Sequence, residues 1–130
     1  MKEALKFLQD CGTFYLATDD NGQPRVRPFG AVAEFKGKLY ITTNNQKDVY
    51  HQMLKNPKVE MSGTIGGQWI RVTGEVKEDT RREARVAMMD ANPSLSGMYD
   101  VDDGKFTVLY FTSGTATIYS FTEEPKTFTL

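Results

Sequence analysis

The residues best suited to chemistry lie a third of the way along the chain, where Leu39-Tyr40-Ile41 runs into Thr42-Thr43-Asn44-Asn45-Gln46-Lys47. The first three read as a buried strand. Behind the polar run, Val49, Tyr50, Met53 and Leu54 recur at helical spacing. Asn45 is placed to cap that helix, with Asp48 three residues on as an acidic variant of the capping box. A helix opening there turns unpaired N–H groups and the positive end of its dipole toward two hydroxyls and two amides. Lys47 in the first turn opposes that dipole, which favours cations at the other end. A bound anion explains a lysine in that place, so the segment is a candidate phosphate site. A Thr/Asn-rich loop with Lys47 pointing into water is the competing account.

Two further stretches carry informative faces. In Arg25-Val26-Arg27-Pro28-Phe29-Gly30-Ala31-Val32, a period of two puts Arg25 and Arg27 on one side. Pro28 cannot donate to a ladder and Gly30 has no side chain, so this strand is interrupted or lies at an edge. Such gaps expose backbone groups to a planar polar ligand; a kinked edge strand with two solvated arginines is the alternative. In Trp69-Ile70-Arg71-Val72-Thr73-Gly74-Glu75-Val76, the residues Ile70, Val72 and Val76 form an apolar face. Trp69, Arg71, Thr73 and Glu75 form the opposite one, suited to a ligand cleft or a second subunit. A partly exposed strand with an Arg–Glu pair would also account for it.

The elements that must position these residues can be read from pattern. A helix over 2–10 stops at Gly12. Strands follow over Thr13–Thr18 and Arg25–Phe35, joined by a hairpin at Asp19-Asp20-Asn21-Gly22. Lys38–Thr43 returns after Lys36-Gly37, and Val59–Ser62 and Gln68–Glu78 flank Gly66-Gly67. Thr80 and Glu83 form a capping box before Ala84, Ala87, Met88 and Ala91. Thr107–Thr112 and Thr115–Phe121 read as a last hairpin about Ser113-Gly114. The expected fold is a mainly antiparallel β-barrel of six to seven strands with about three short helices, spanning residues 1–130 as a single domain.

Composition limits the function. A net charge of -1 gives no basic field for nucleic acid or anionic membrane. An oligonucleotide-binding barrel is disfavoured too, because no basic-aromatic stripe is present. The single cysteine, Cys11, excludes an intrachain disulfide and reads as a small buried apolar residue. The lone His51 has no partner ligands for zinc. No signal peptide or run of membrane-spanning length occurs, so the expected location is cytoplasmic.

Taken in order, Gly22-Gln23-Pro24-Arg25-Val26-Arg27-Pro28, then Leu39-Tyr40-Ile41-Thr42-Thr43-Asn44, Lys47, Asn56-Pro57-Lys58-Val59 and Trp69-Ile70-Arg71-Val72-Thr73-Gly74 resemble the pyridoxamine 5′-phosphate oxidase-like family. The resemblance covers nearly the whole chain, and its specificity lies in the ordered set. It implies an FMN-binding split β-barrel and a homodimer with flavin at the subunit interface. It also implies that Arg27 grips the flavin phosphate, with Lys47 closing over it and Arg25 a weaker candidate. Thr42 and Thr43 fall where the family meets ring and ribityl chain, Pro28 and Asn44 are further cofactor-binding candidates, and Trp69 falls near the isoalloxazine edge. FMN is expected over FAD, because no Gly-x-Gly-x-x-Gly follows a strand.

The sequence also departs from the true oxidases. Their substrate-binding lysine near the end of the second strand corresponds to Val32, and their C-terminal Arg and His have no counterpart in Glu123-Glu124-Pro125-Lys126-Thr127-Phe128-Thr129-Leu130. Oxidation of pyridoxamine phosphate is therefore not expected. The leading expectation is a small flavin-dependent oxidoreductase passing electrons from NAD(P)H to a small oxidised acceptor. The alternatives are a non-catalytic flavin sensor, store or electron-transfer protein, and a barrel binding haem or a deazaflavin.

Overall fold

Two tight turns with left-handed backbone start the sheet. Asn21 (φ 52°) and Gly22 (φ 92°) reverse the chain after the first strand, and Lys36 (φ 49°) with Gly37 (φ 76°) do so again. Positive φ at both central residues matches the right-handed twist of the strands they join. In the computed structural model, which describes residues 1–130, these turns join β1 (Phe14–Asp20) to β2 (Gln23–Phe29), and β3 (Val32–Phe35) to β4 (Lys38–Asn44). The remaining strands are β5 (Lys58–Ile65), β6 (Gln68–Asp79), β7 (Phe106–Ser120) and β8 (Lys126–Thr129). The helices are α1 (Lys2–Cys11), α2 (Asp48–Lys55) and α3 (Arg82–Ala91), followed by a 3₁₀ helix over Pro93–Gly97.

Every strand pairing is antiparallel, in the order β2-β1-β5-β6-β7-β4-β3, with β8 added to β7. The end strands β2 and β3 do not pair with each other, so the sheet curls without closing: a split β-barrel, as expected. Strand alternation fills two cores. Leu39 and Ile41 of β4 join α1, α2 and the barrel interior, packing with Phe14, Leu16, Met53, Ile70 and Val72. Tyr40 points the other way and packs with Ala84 and Met88 of α3 and Val108. Each large apolar side chain so buried contributes about 1.5–3 kcal/mol.

Three segments differ from expectation. The Arg25–Phe35 stretch is two strands, broken at Gly30-Ala31, and these form the opposite ends of the sheet. The chain crosses the split of the barrel at that break. The hairpin expected at Ser113-Gly114 is absent, and β7 continues through it. Gly114 faces Gly74 across the ladder, and a Cβ on either would collide with the opposing or adjacent backbone. The glycines serve close approach beside a bulge at Glu75/Val76, where the sheet bends. The third is β8, which brings the strands to eight. Its residues carry one apolar side chain, and its register on Thr115–Ile118 comes from backbone pairing that no side-chain pattern announces.

The expected side-chain cap of α3 is absent. The helix is preceded by Arg81, and Thr80 makes no side-chain cap. Asp79 accepts the Arg81 N–H at 3.0 Å, ahead of the helix. Asp79 is only 6 % exposed. It receives Nε and Nη2 of Arg81 at 3.0 and 2.8 Å and the Tyr40 hydroxyl at 2.6 Å. Arg81 holds the carboxyl well below its ordinary range, while burial and Asp79 push the Tyr40 phenol up to about 12.

Candidate functional site: a cationic cleft joined to a strand-edge slot

Helix α2 begins later than its sequence suggested. Asn45 does not cap it, because its side-chain N–H donates to the Gly104 carbonyl at 2.8 Å and its backbone N–H to Lys105 at 3.0 Å. Those bonds tie the loop to the start of β7. The N-cap is Lys47 itself, in extended backbone (φ −90°, ψ 147°), and no side chain caps the helix. The Val49 N–H is left without an acceptor in the chain. The helix terminus thus keeps the Asp48 and Val49 N–H groups free, while the Tyr50 N–H goes to the Lys47 carbonyl, and Lys47 stands just ahead of the first turn instead of within it.

Two clefts meet at Lys47. The larger, of about 750 Å³, is walled by Asp20, Arg25 and Arg27 of the β1–β2 hairpin and by Gln46, Lys47, Asp48 and Gln52 at and in α2. The smaller, of about 340 Å³, runs from Pro28 and Phe29 past Thr42, Thr43 and Lys47 to Leu95, Met98 and Tyr99. Both fall within the roughly 300–1,000 Å³ of small-ligand sites.

Arg27 is the central cation of the first cleft. Its Nη1 donates to the Leu16 carbonyl at 3.2 Å and the Thr18 hydroxyl at 2.8 Å, and its Nη2 donates to Gln52 Oε1 at 2.8 Å. All are neutral acceptors, and no carboxylate pairs with it. Burial, and then the nearby Arg25, pull its pKa below the ordinary guanidinium value, with Asp48 opposing. Arg25 is spent on Asp20 at 3.3 Å. Lys47 is exposed and makes no ion pair.

The second cleft offers strand edge. β3 covers β4 only as far as Ile41, opposite Val32, so Thr42–Asn44 has β7 on one side and no strand on the other. The Thr42 hydroxyl donates to the Thr107 carbonyl at 2.7 Å. Thr43 is 5 % exposed and its hydroxyl has no partner in the chain. No side-chain polar atom is both sealed from solvent and unpaired, so that hydroxyl opens onto the cleft. Asn44 lies behind the lining, donating to the Tyr99 hydroxyl at 2.8 Å.

The fold therefore gathers Arg25, Arg27, Pro28, Thr42, Thr43 and Lys47 around one continuous surface, with Asn44 supporting it. It does not bring Trp69 there. Trp69 stacks on Tyr119 at 5.4 Å and meets the tilted Phe121 ring at 5.1 Å, on the outer face of β6 and β7. The Arg71 guanidinium lies 5.5 Å over the Tyr119 ring, extending that aromatic row. Sequence reasoning missed Thr18 and Gln52, and the lining drawn from 92–99. Gln52 stands four residues after Asp48 on the same helix face, a signal that was available. Thr18 needed the β1–β2 register, and the 3₁₀ segment has no periodicity to read.

The residues fit a flavin mononucleotide. A free fork, a lysine and an open helix terminus suit a terminal phosphate. An unpaired strand edge and a free hydroxyl suit the polar rim of a flat ring. A third concavity, of about 310 Å³ between α1 and the ends of β6 and β7, holds none of the expected residues.

A family model described as pyridoxamine 5′-phosphate oxidase matches residues 1–117. A crystal structure of a NimC/NimA family protein from Clostridium acetobutylicum is 60 % identical, with TM-score 0.95, covering 100 % of this chain and 93 % of that one. A pyridoxamine 5′-phosphate oxidase-related, FMN-binding protein from Nostoc punctiforme shares the fold at TM-score 0.63 and 13 % identity, over 98 % of this chain and 92 % of that one. So does a heme-binding protein from Mycobacterium smegmatis, at TM-score 0.74 and 13 % identity, over 97 % of this chain and 57 % of that one. No curated protein sequence matches the chain. The extent of the family match, on a split barrel with this cleft, makes the chain a member of the pyridoxamine 5′-phosphate oxidase-like family.

Proposed function

We propose that residues 1–130 form one FMN-binding domain acting as a small flavin-dependent oxidoreductase, which passes electrons from NAD(P)H to a small oxidised acceptor such as a nitro compound or quinone. The observation that carries this reading is Arg27: a part-buried cation, oriented by neutral partners and facing a cleft shared with Lys47. In this reading Arg27, Lys47 and the open α2 terminus hold the phosphate, with Arg25 contributing at longer range. Thr43 and the free edge of Thr42–Asn44 orient the ring, and Pro28 at the end of β2 bounds it. FMN supplies the hydride and electron chemistry when bound. The chain's part is to position, to exclude water and to set the local field, so no acid or base need stand out.

The resemblance further supports a homodimer in which the Trp69–Tyr119–Phe121 row meets the second subunit. Phe121 is 84 % exposed, a costly position for a phenylalanine left in water. No helix is long and apolar enough to cross a membrane; location in the cytoplasm belongs to the proposal. The haem alternative has less behind it, since the lone His51 lines neither cleft and packs edge-on against Tyr50.

An absorbance spectrum of the purified protein, with mass identification of the released chromophore, tests the cofactor. NAD(P)H consumption by the yellow protein with nitro, quinone or flavin acceptors then tests the activity. A flavin spectrum with acceptor-dependent consumption is expected. A Soret band, or a colourless protein that FMN does not stain, would overturn the reading.

A further inference from the structure

We propose that Thr18 and Gln52 are positioning residues that clamp one edge of the Arg27 guanidinium, so that its other edge is presented as a charged two-donor fork to a phosphate monoester. The proposal rests on the FMN reading above and names the part of the chain that makes the site selective for phosphate.

A guanidinium has five N–H donors in one plane. The Thr18 hydroxyl donates to Gln52 Oε1 at 2.6 Å, and the two oxygens receive Nη1 and Nη2, each at 2.8 Å. Because the two acceptors are bonded to each other, they sit together on the edge between Nη1 and Nη2. The second Nη1 proton goes to the Leu16 carbonyl at 3.2 Å, with a long contact to the Arg25 carbonyl at 3.4 Å. What remains is Nε–H and one Nη2–H, side by side on the last edge. Two parallel donors at that spacing match two oxygens of one phosphate.

The choice of partner is the informative part. A glutamate in place of Gln52 would receive the same protons and cancel the charge, as Asp79 does for Arg81. The amide oxygen fixes the plane and leaves the cation uncompensated. The three side chains come from three elements, β1, β2 and α2, and α2 is held by buried Val49 and Met53. The fork is thus set by the fold before any ligand arrives, which lowers the entropy lost on binding.

FMN and riboflavin are titrated against the full-length chain and its Thr18→Val, Gln52→Ala, Gln52→Glu and Arg27→Ala variants. Thr18→Val and Gln52→Glu preserve side-chain size, so the test does not depend on Gln52→Ala folding. Thr18→Val and Gln52→Ala should each narrow the preference for FMN over riboflavin about tenfold, through FMN alone. Gln52→Glu should narrow it further, because the new carboxylate pairs with Arg27. In an Arg27→Ala background, Thr18→Val and Gln52→Ala should add nothing, since their effect passes through the arginine. An unchanged preference in Thr18→Val and Gln52→Glu, or a parallel loss of riboflavin, would show that Thr18 and Gln52 only pack the hairpin against α2, with the FMN reading intact. Equal binding of FMN and riboflavin by the unaltered protein would remove the phosphate site itself, and this inference with it.

Discussion

Two arginines, one at each side of the barrel, are treated in opposite ways. Arg81 has a buried carboxylate: Asp79 accepts its Nε and Nη2, takes the Tyr40 hydroxyl as well, and leaves that cluster without charge to spare. Arg27 is as well supplied with hydrogen bonds, but every acceptor is neutral. The first arrangement completes itself; the second is complete in geometry and open in charge. A part-buried cation costs desolvation energy, so leaving it unpaired is sensible where an anion will arrive. The difference separates an arginine that holds the fold from one that holds a ligand.

The largest effect that would sharpen this contrast is in the closed cluster. Asp79→Ala removes the acceptor of a buried phenol, and should cost about 2–3 kcal/mol in urea unfolding. It should leave the ratio of FMN to riboflavin affinity unchanged. The pH dependence carries the same signature. Asp79 has a folded pKa below its ordinary 3.8, so its contribution is present above about pH 4 and fades as the pH falls below that value. Tyr40 is raised from 10.0 to about 12, so its contribution is intact below pH 10 and is lost as the pH climbs through 12. Asp79→Asn should flatten the acid limb of a stability–pH curve, and an unchanged limb would place the acid-labile group elsewhere.

Arg27→Ala should do the reverse, weakening FMN roughly tenfold to a hundredfold, for about 1.5–3 kcal/mol of charge-assisted bonding, while riboflavin barely changes. Arg27→Lys should recover only part of it, because a point charge cannot reproduce a fork. If riboflavin falls equally, Arg27 belongs with Arg81 as a strut of the fold. Lys47→Ala should be milder, about tenfold in FMN affinity, with stability unmoved within roughly 0.5 kcal/mol, since the side chain is exposed and makes no ion pair.

The smallest expected effect concerns what the sequence could tell. Thr80 and Glu83 have the spacing of a capping box, yet no side chain caps α3, and Asp79 binds the Arg81 N–H just ahead of the helix. Thr80→Ala should therefore change stability by less than the roughly 1 kcal/mol that losing a true cap costs. The same limit ran through the rest. Period-two patterns placed Ile70 and Val72 inside and Arg25 and Arg27 on one face, because burial imposes that alternation directly. The Asn-Gly turn was legible because few residues accept its backbone. Asn45 was misread as a cap because its alternative partners, Gly104 and Lys105, lie 59 and 60 positions away, and no local pattern encodes them. Ser113-Gly114 imitated a turn for a similar reason: the need for glycine came from Gly74 on a neighbouring strand. The cleft itself was half readable. Arg27, Thr43 and Lys47 stand in recognisable runs, while Thr18, Gln52 and the 3₁₀ wall reach the site only through tertiary register.

The most direct test of the account is a pair of titrations of the flavin-free protein, one with FMN and one with riboflavin, followed by quenching of flavin fluorescence. The two ligands differ only in the phosphate, so their affinity ratio isolates what Arg27, Lys47 and the open end of α2 contribute. FMN should bind tighter by about a hundredfold or more, the equivalent of at least two charge-assisted bonds of the weaker kind. Equal affinities would contradict it, and would leave Arg27 as a cation that the fold buries for no ligand's sake.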